Sequence, residues 1–405
     1  MQVEAVIARA ASAAADKATG VVRQATRVAA IDWMRGLVMI LMIIDHASMA
    51  FDGHHVAHDS AFYPDAMTMA LPAGEFFTRW ITHLCAPTFV FLAGTALALS
   101  IERRVAKGAK PWDIDKNILK RGAIIALLDL TIISLGSGYL NLGVLLAIGL
   151  SMICMAFLRR LPSWALLTLA FGWIAAGEFL TGLTWHPPGS APPLTSFFMA
   201  TGTAAPITSL FTDVGAPGGV VNKYSLFPWL AMMILGWVFG RHMLRWDTGK
   251  TRVSPVRLLA IAGTVALIVF VVVRAQQGYG DMFLNRTDDS WQQWLHVSKY
   301  PPSLTYYALE LGILALSLAL LMKIEPIIGV RPNGVFLVFG QTAMFFYIVH
   351  RLVLEVPATY FGLRGVGNLA TTYIVSAVLL VLLYPACRWY RTLKAAHPQS
   401  FLKYL

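Results

Sequence analysis

Asp45 and His46 close the stretch DWMRGLVMILMIIDH at 32–46, directly after nine apolar residues. A carboxylate beside an imidazole supplies the parts of a general base. Near neutral pH the ring takes a proton from an attacking hydroxyl or amine, and the carboxylate orients the ring and stabilises its cation. Inside a bilayer an ionised side chain needs a partner or water. The pair is therefore expected to face a wet cavity, with an internal polar clasp between helices as the structural alternative.

Further candidates stand at comparable depth. His83, in RWITHLCAP, follows Arg79 by one helical turn, and His350 ends FFYIVH. At ~1.5 Å rise per residue, His46 lies ~16 Å along its helix from Arg35, and His350 ~22 Å from Val335. The expected arrangement is one outward-open pocket: His46 as base, Asp45 as its orienter, His83 and His350 as lining. Arg79 or His350 would polarise a carbonyl. Eight of the ten histidines fall on this outer side: His46, His54, His55, His58, His83, His186, His296 and His350. Asp32 and Arg35, three apart, read as an ion pair at a helix entry. Asp129 in LLDL reads as a structural hydrogen-bond partner.

Other patterns carry less. GHHVAHD at 53–59 has metal-ligand residue types, with His54 and His58 four apart and Asp59 adjacent. It lacks the H-E-x-x-H pattern and Gly53 disfavours a helix there, so no metal is expected. GAPGG at 215–219 follows no strand and is no nucleotide fingerprint. Cys85, Cys154 and Cys387 read as packed thiols. The basic residues Arg103, Arg104, Lys120 and Arg121 could hold the phosphates of a coenzyme A, although membrane topology alone also places bases there.

These residues have to be positioned by membrane helices. Of 405 residues 57% are hydrophobic and only 13% charged, and mean hydropathy is +0.63. Soluble proteins carry about 25% charged residues. Unbroken apolar runs near 20 residues predict an all-α, polytopic transmembrane helical bundle and exclude the alternating pattern of a β-barrel. Ten spans are predicted, near 34–52, 80–101, 118–136, 139–158, 163–181, 224–243, 255–273, 303–322, 335–354 and 369–388. The third and fourth form a tight hairpin through GSGYLN at 136–141. Alternate connections hold all but seven of the 32 Lys and Arg, which predicts cytoplasmic termini. The same placement explains the net charge of +11 without nucleic acid as a partner. Residues 1–26 read as a cytoplasmic tail, 27–390 as the membrane domain and 391–405 as a second tail. The outward connections 53–79, 182–223 and 274–302 are aromatic enough to be folded caps. WHPPG at 185–189 and DMFLNRTDDSWQQW at 281–294 are examples.

Several of these stretches carry a resemblance. RVAAIDWMRGLVMILMIIDH at 27–46 and FFTRWITHLCAPTFVFLAGTALAL at 76–99 resemble the prokaryotic branch of the heparan-α-glucosaminide N-acetyltransferase catalytic-domain family. So do LAIGLSM at 146–152, YSLFPWLAMMILGWVFGR at 224–241, KYPPSL at 299–304 and FGQTAMFFYIVH at 339–350, which together cover about 27–390. The resemblance implies a transmembrane acyltransferase of an inner membrane. It would move an acetyl group from acetyl-CoA, a donor substrate not tightly bound, to a sugar or other envelope acceptor. Membrane lipid would surround it, and a homo-oligomer is left open. The better-known lysosomal members end the first apolar run on Asn where this chain has His46. Their catalytic histidine lies in the following loop, where His54, His55 and His58 stand here. Direct transfer and a route through acetyl-histidine both remain open. The competing reading is a proton-coupled transporter or flippase, which would call for paired broken helices from inverted repeats.

Overall fold

The computed structural model describes residues 28–56, 59–61, 70–138, 140–184, 198 and 220–404. The tail 1–26, His58, Asp65, His186, WHPPG and GAPGG lie outside the described residues.

The apolar runs form helices: α1 (Ala29–Phe51), α2 (Ala73–Thr82), α3 (Cys85–Ala106), α4 (Pro111–Leu128), α5 (Ser134–Ser137), α6 (Val144–Leu158) and α7 (Ser163–Thr184). Then come α8 (Leu226–Asp247), α9 (Pro255–Gln276), the short α10 (Trp291–Leu295), α11 (Leu304–Ile328), α12 (Val335–Gln341), α13 (Ala343–Tyr360) and α14 (Leu369–Ala396). Among the described residues strand is confined to β1 (Leu140–Leu142) and β2 (Val220–Asn222), paired in parallel. Each expected span overlaps a helix, but 139–158 opens on β1, and 80–101, 118–136 and 335–354 each run across two helices. Among the described residues six helical runs are long and apolar enough to cross a membrane, with α2 and α3 counted as one, and seven if α12 and α13 together make one span. The others are shorter or end in charge: α6 has 15 residues, α4 opens on PWDIDK and α8 closes on RHMLRWD. The boundary expected at residue 390 falls inside α14, which continues to Ala396.

Helix α1 is the axis of the site. Ile31, Met34, Val38 and Met42 recur on its buried face at helical spacing, and it touches α2, α3, α11, α12, α13 and α14. Close crossings depend on glycine. A Cβ on Gly36 would sit 2.0 Å from the Phe336 carbonyl oxygen, and one on Gly236 would sit 1.9 Å from that of Phe91. Small residues at such crossings let two backbones touch. The expected Asp32–Arg35 ion pair is present at 3.2 Å.

Two local breaks aim residues at the site. A π-helical turn at Asp129–Ile133 joins α4 to α5. It points the Asp129 carboxylate at the start of α6, where Oδ2 accepts from the Leu146 amide at 2.9 Å and Oδ1 from Asn141 Nδ2 at 3.3 Å. This is the hydrogen-bonding role expected of Asp129, and π-turns often mark functional sites. The second break lies between α12 and α13, which meet at 89°. Thr342 there donates its hydroxyl to the Val338 carbonyl at 2.8 Å, and α13 then carries His350 back towards α1.

The 274–302 connection is folded. Arg274, fully buried, ion-pairs Asp281 at 2.9 Å and donates to the carbonyls of Leu284, Gln293, Trp294 and His296. Glu178 Oε2 accepts from the amides of Gly280 and Met282. A buried arginine satisfied in this way organises a loop as a helix would.

Candidate active site

His46 and His350 meet. His46 Nδ1 lies 2.7 Å from His350 Nε2, and the rings stack with centroids 5.0 Å apart. His350 Nδ1 is 2.8 Å from the Phe346 carbonyl oxygen. A carbonyl only accepts, so His350 carries its proton on Nδ1 and presents a lone pair at Nε2. His46 must then donate from Nδ1, which leaves its own Nε2 lone pair available as a base. One backbone oxygen, itself held by the α13 helix, thus sets both tautomers.

Asp45 does not orient His46, contrary to expectation. Adjacent residues on a helix point in different directions. Asp45 Oδ1 instead accepts from Arg79 Nη1 at 2.6 Å and from the Thr82 hydroxyl at 2.9 Å. Arg79 is shared with a second carboxylate, since its Nε and Nη2 donate to Asp59 Oδ2 at 2.8 and 2.5 Å. Clamped by two carboxylates, Arg79 suits positioning better than polarising a carbonyl. His83 stands behind this clasp, with Nε2 3.3 Å from Asp59 Oδ2, and does not line the cavity. The pocket role expected of it therefore passes elsewhere.

The cavity, about 90 Å³, is lined by Asp45, His46, His55, Arg79, Lys223, Tyr224, Lys299, Tyr300 and Arg351, with Asn141 and Gly143 on the α6 side. Among the described loop histidines His55 reaches it, held by the Ser48 hydroxyl at 2.8 Å, whereas His54 is exposed and lies 3.9 Å from Asp52. Burial, then the nearby Arg79 guanidinium, lowers the His55 imidazole to about 4, so the ring is neutral at pH 7. Burial alone would raise the Asp59 carboxyl, but Arg79 holds it well below the usual carboxylate range.

Lys299 is placed by its backbone, whose N–H donates to the Asp59 carbonyl at 2.9 Å. Its ammonium lies 5.4 Å from the Tyr300 ring centroid, and that of Lys223 lies 5.9 Å from it. Burial opposes ionisation of the Tyr300 phenol, yet Lys299, Arg79 and Lys223 bring it below its ordinary value. The Tyr300 hydroxyl lies 3.4 Å from that of Tyr224. Sequence reasoning passed over Lys223, Lys299, Tyr300 and Arg351 as site residues, although a signal was present. Of the seven bases outside the predicted cytoplasmic set, Arg79, Lys223, Lys299 and Arg351 line this cavity.

A second cavity of about 270 Å³ adjoins the first. Met42, Val144 and Tyr347 line both cavities and stand between them. Its charged lining is Arg35, Arg121 and Lys394. Of the four bases expected to hold phosphates only Arg121 reaches it; Arg103, Arg104 and Lys120 do not line it, and Arg104 faces Asn117 at 3.5 Å. Among the described residues no group of three or more His, Cys, Asp or Glu could hold a metal.

The arrangement is that of a half-buried histidine lining one cation-rich cavity that adjoins a second, within a multi-pass helical membrane protein. No curated protein matches the sequence. The family described as heparan-alpha-glucosaminide N-acetyltransferase, catalytic, matches residues 27–274, which include α1 to α8 and most of α9 but stop short of Lys299 and His350. The chain belongs to the heparan-alpha-glucosaminide N-acetyltransferase catalytic-domain family of membrane acetyltransferases.

Proposed function

We propose that the protein transfers an acetyl group from acetyl-CoA to an amine or hydroxyl of a glycan or other envelope acceptor, with His46 as the base. The observation that carries this reading is the His46–His350 pair in a cation-rich cavity that shares Met42, Val144 and Tyr347 with a second basic cavity. Coenzyme A would enter the basic chamber with its phosphates near Arg35, Arg121 and Lys394, and its thioester would reach up the ~16 Å of α1 between Arg35 and His46. The acceptor would occupy the outer cavity. This reading keeps ten spans, cytoplasmic termini, an inner-membrane location and the prokaryotic branch of the family.

In the transfer step, His46 Nε2 takes the proton of the acceptor as its nitrogen or oxygen attacks the thioester carbonyl. The imidazolium so formed shares its Nδ1 proton with His350 Nε2, and the Phe346 carbonyl steadies the relay. Tyr300, with its lowered phenol, and Lys299, which lines the same cavity, stabilise the oxyanion. Collapse breaks the carbon–sulfur bond, and His46 returns its proton to the coenzyme A thiolate. His55, neutral and in the same cavity, is the candidate acyl carrier if transfer takes two steps.

One observation favours the transporter reading: the broken span at Thr342. Its inverted counterpart is absent among the described residues. Radiolabelled acetyl-CoA incubated with the purified protein and an amino-sugar acceptor decides between them. Label should pass to the acceptor and the passage should disappear in His46→Ala; solute uptake that ignores coenzyme A would overturn the acyltransferase reading.

A further inference from the structure

A cavity of about 780 Å³ lies away from the site, between α7, α8, α9 and α11, and shares no residue with either chamber. Leu167, Phe171, Leu235, Val265, Val269 and Leu311 make its walls, and no carboxylate lines it. Phe171 and Val265 line it while remaining 55% and 54% exposed, so it opens sideways between α7 and α9. Both helices are apolar spans that turn most of their surface outward. Protein interiors do not keep such space empty, and at this level of a bilayer hydrocarbon is what surrounds it.

One end of the cleft is basic. Arg241, His242 and Arg245 reach its rim from α8. Arg241 is already used, pairing with Glu102 at 2.7 Å and donating to the carbonyls of Arg159 and Leu161. His242 Nε2 donates to the Val253 carbonyl at 2.9 Å. Arg245 is exposed and has no acidic partner among the described residues. A cation at the mouth of an apolar cleft between membrane helices matches a phosphate headgroup attached to an acyl chain.

We propose that this groove binds an anionic glycerophospholipid of the surrounding bilayer, with one acyl chain between α7 and α9 and its phosphate on Arg245. The full chain is reconstituted in nanodiscs of mixed phosphatidylglycerol and phosphatidylcholine, washed in detergent, and its retained lipid counted by native mass spectrometry. The unaltered protein should retain one lipid with a roughly tenfold preference for phosphatidylglycerol, the scale of one charge-assisted contact. Arg245→Glu should abolish the preference and Arg245→Lys should restore most of it. Ala262→Trp, which places an indole in the groove from α9, should reduce retention of both lipids. Equal retention of the two lipids by the unaltered protein overturns the proposal, as does undiminished retention in Ala262→Trp. So does an Ala262→Cys variant that cross-links to a second copy of the chain in the bilayer. If Ala262→Trp fails to fold, the Arg245 pair, which alters only an exposed rim residue, decides.

Discussion

His350 holds His46 through a 2.7 Å contact between Nε2 and Nδ1, and it is in turn held by the carbonyl of Phe346 one turn earlier on α13. The two histidines are 304 positions apart in sequence. A kinked helix brings them together, and a backbone oxygen stands where catalytic dyads more often use a carboxylate.

The dyad should be separable by mutation. His46→Ala is expected to lower kcat by about 10²–10⁴-fold, the usual yield of general-base catalysis. His350→Gln, whose amide oxygen can still accept from His46, should cost less than His350→Phe. Initial rates with acetyl-CoA, on variants whose melting temperature is unchanged, check the order.

Oxyanion support is assigned to Tyr300 and Lys299. Tyr300→Phe keeps the ring beside the two ammonium groups and removes only the hydroxyl. A loss of up to about 10²-fold in kcat with little change in KM is expected. A raised KM at constant kcat would make Tyr300 an acceptor-binding residue instead.

Donor binding should be read in KM. Arg121→Glu is expected to raise KM for acetyl-CoA about tenfold at constant kcat, as loss of a phosphate contact would. Arg103→Glu and Arg104→Glu should be near neutral, because neither residue lines the basic chamber. Equal effects at all of these positions would point to a diffuse surface potential.

Stability should fall on mild acidification through His55. Its folded pKa of about 4 lies below the ordinary 6.5. Between those values the unfolded chain binds a proton that the folded one refuses, so stability is lost as pH falls from 6.5 towards 4. Thermal melting of the purified protein across that window should show a slope that His55→Asn flattens. Asp59 acts lower: its carboxyl is held well below 3.8, so the stability it contributes is present above that value and lost beneath it.

Asp129→Ala removes the acceptor for the Leu146 amide. A destabilisation of about 0.5–2 kcal/mol is expected, as for loss of a helix cap. Activity should fall as well, since Asn141, Gly143 and Val144 line the cavity and lose their anchor. Paired melting and rate measurements on this variant test both halves.

The helices themselves were legible because a bilayer leaves backbone polar groups no partner but their own chain, so each apolar run must become a helix. The positive-inside count marked Arg79, Lys223, Lys299 and Arg351 as bases on the sparse side, and four such cations in one fold have reason to meet. What the sequence determined by itself was therefore local: which segments are helical, that Asp129 and the Asp32–Arg35 pair serve structure, and that His46 and His350 are polar groups within apolar helices. Only the tertiary structure decided which neighbour each ionisable group answers to. Adjacency along α1 suggested Asp45 for His46, but helix geometry turns the two apart, and Arg79 claims the carboxylate while His350 claims the ring. Partners across helices depend on crossing points such as Gly36 against Phe336 and on the bend at Thr342. Those are properties of packed backbones, and no single stretch of residues encodes them.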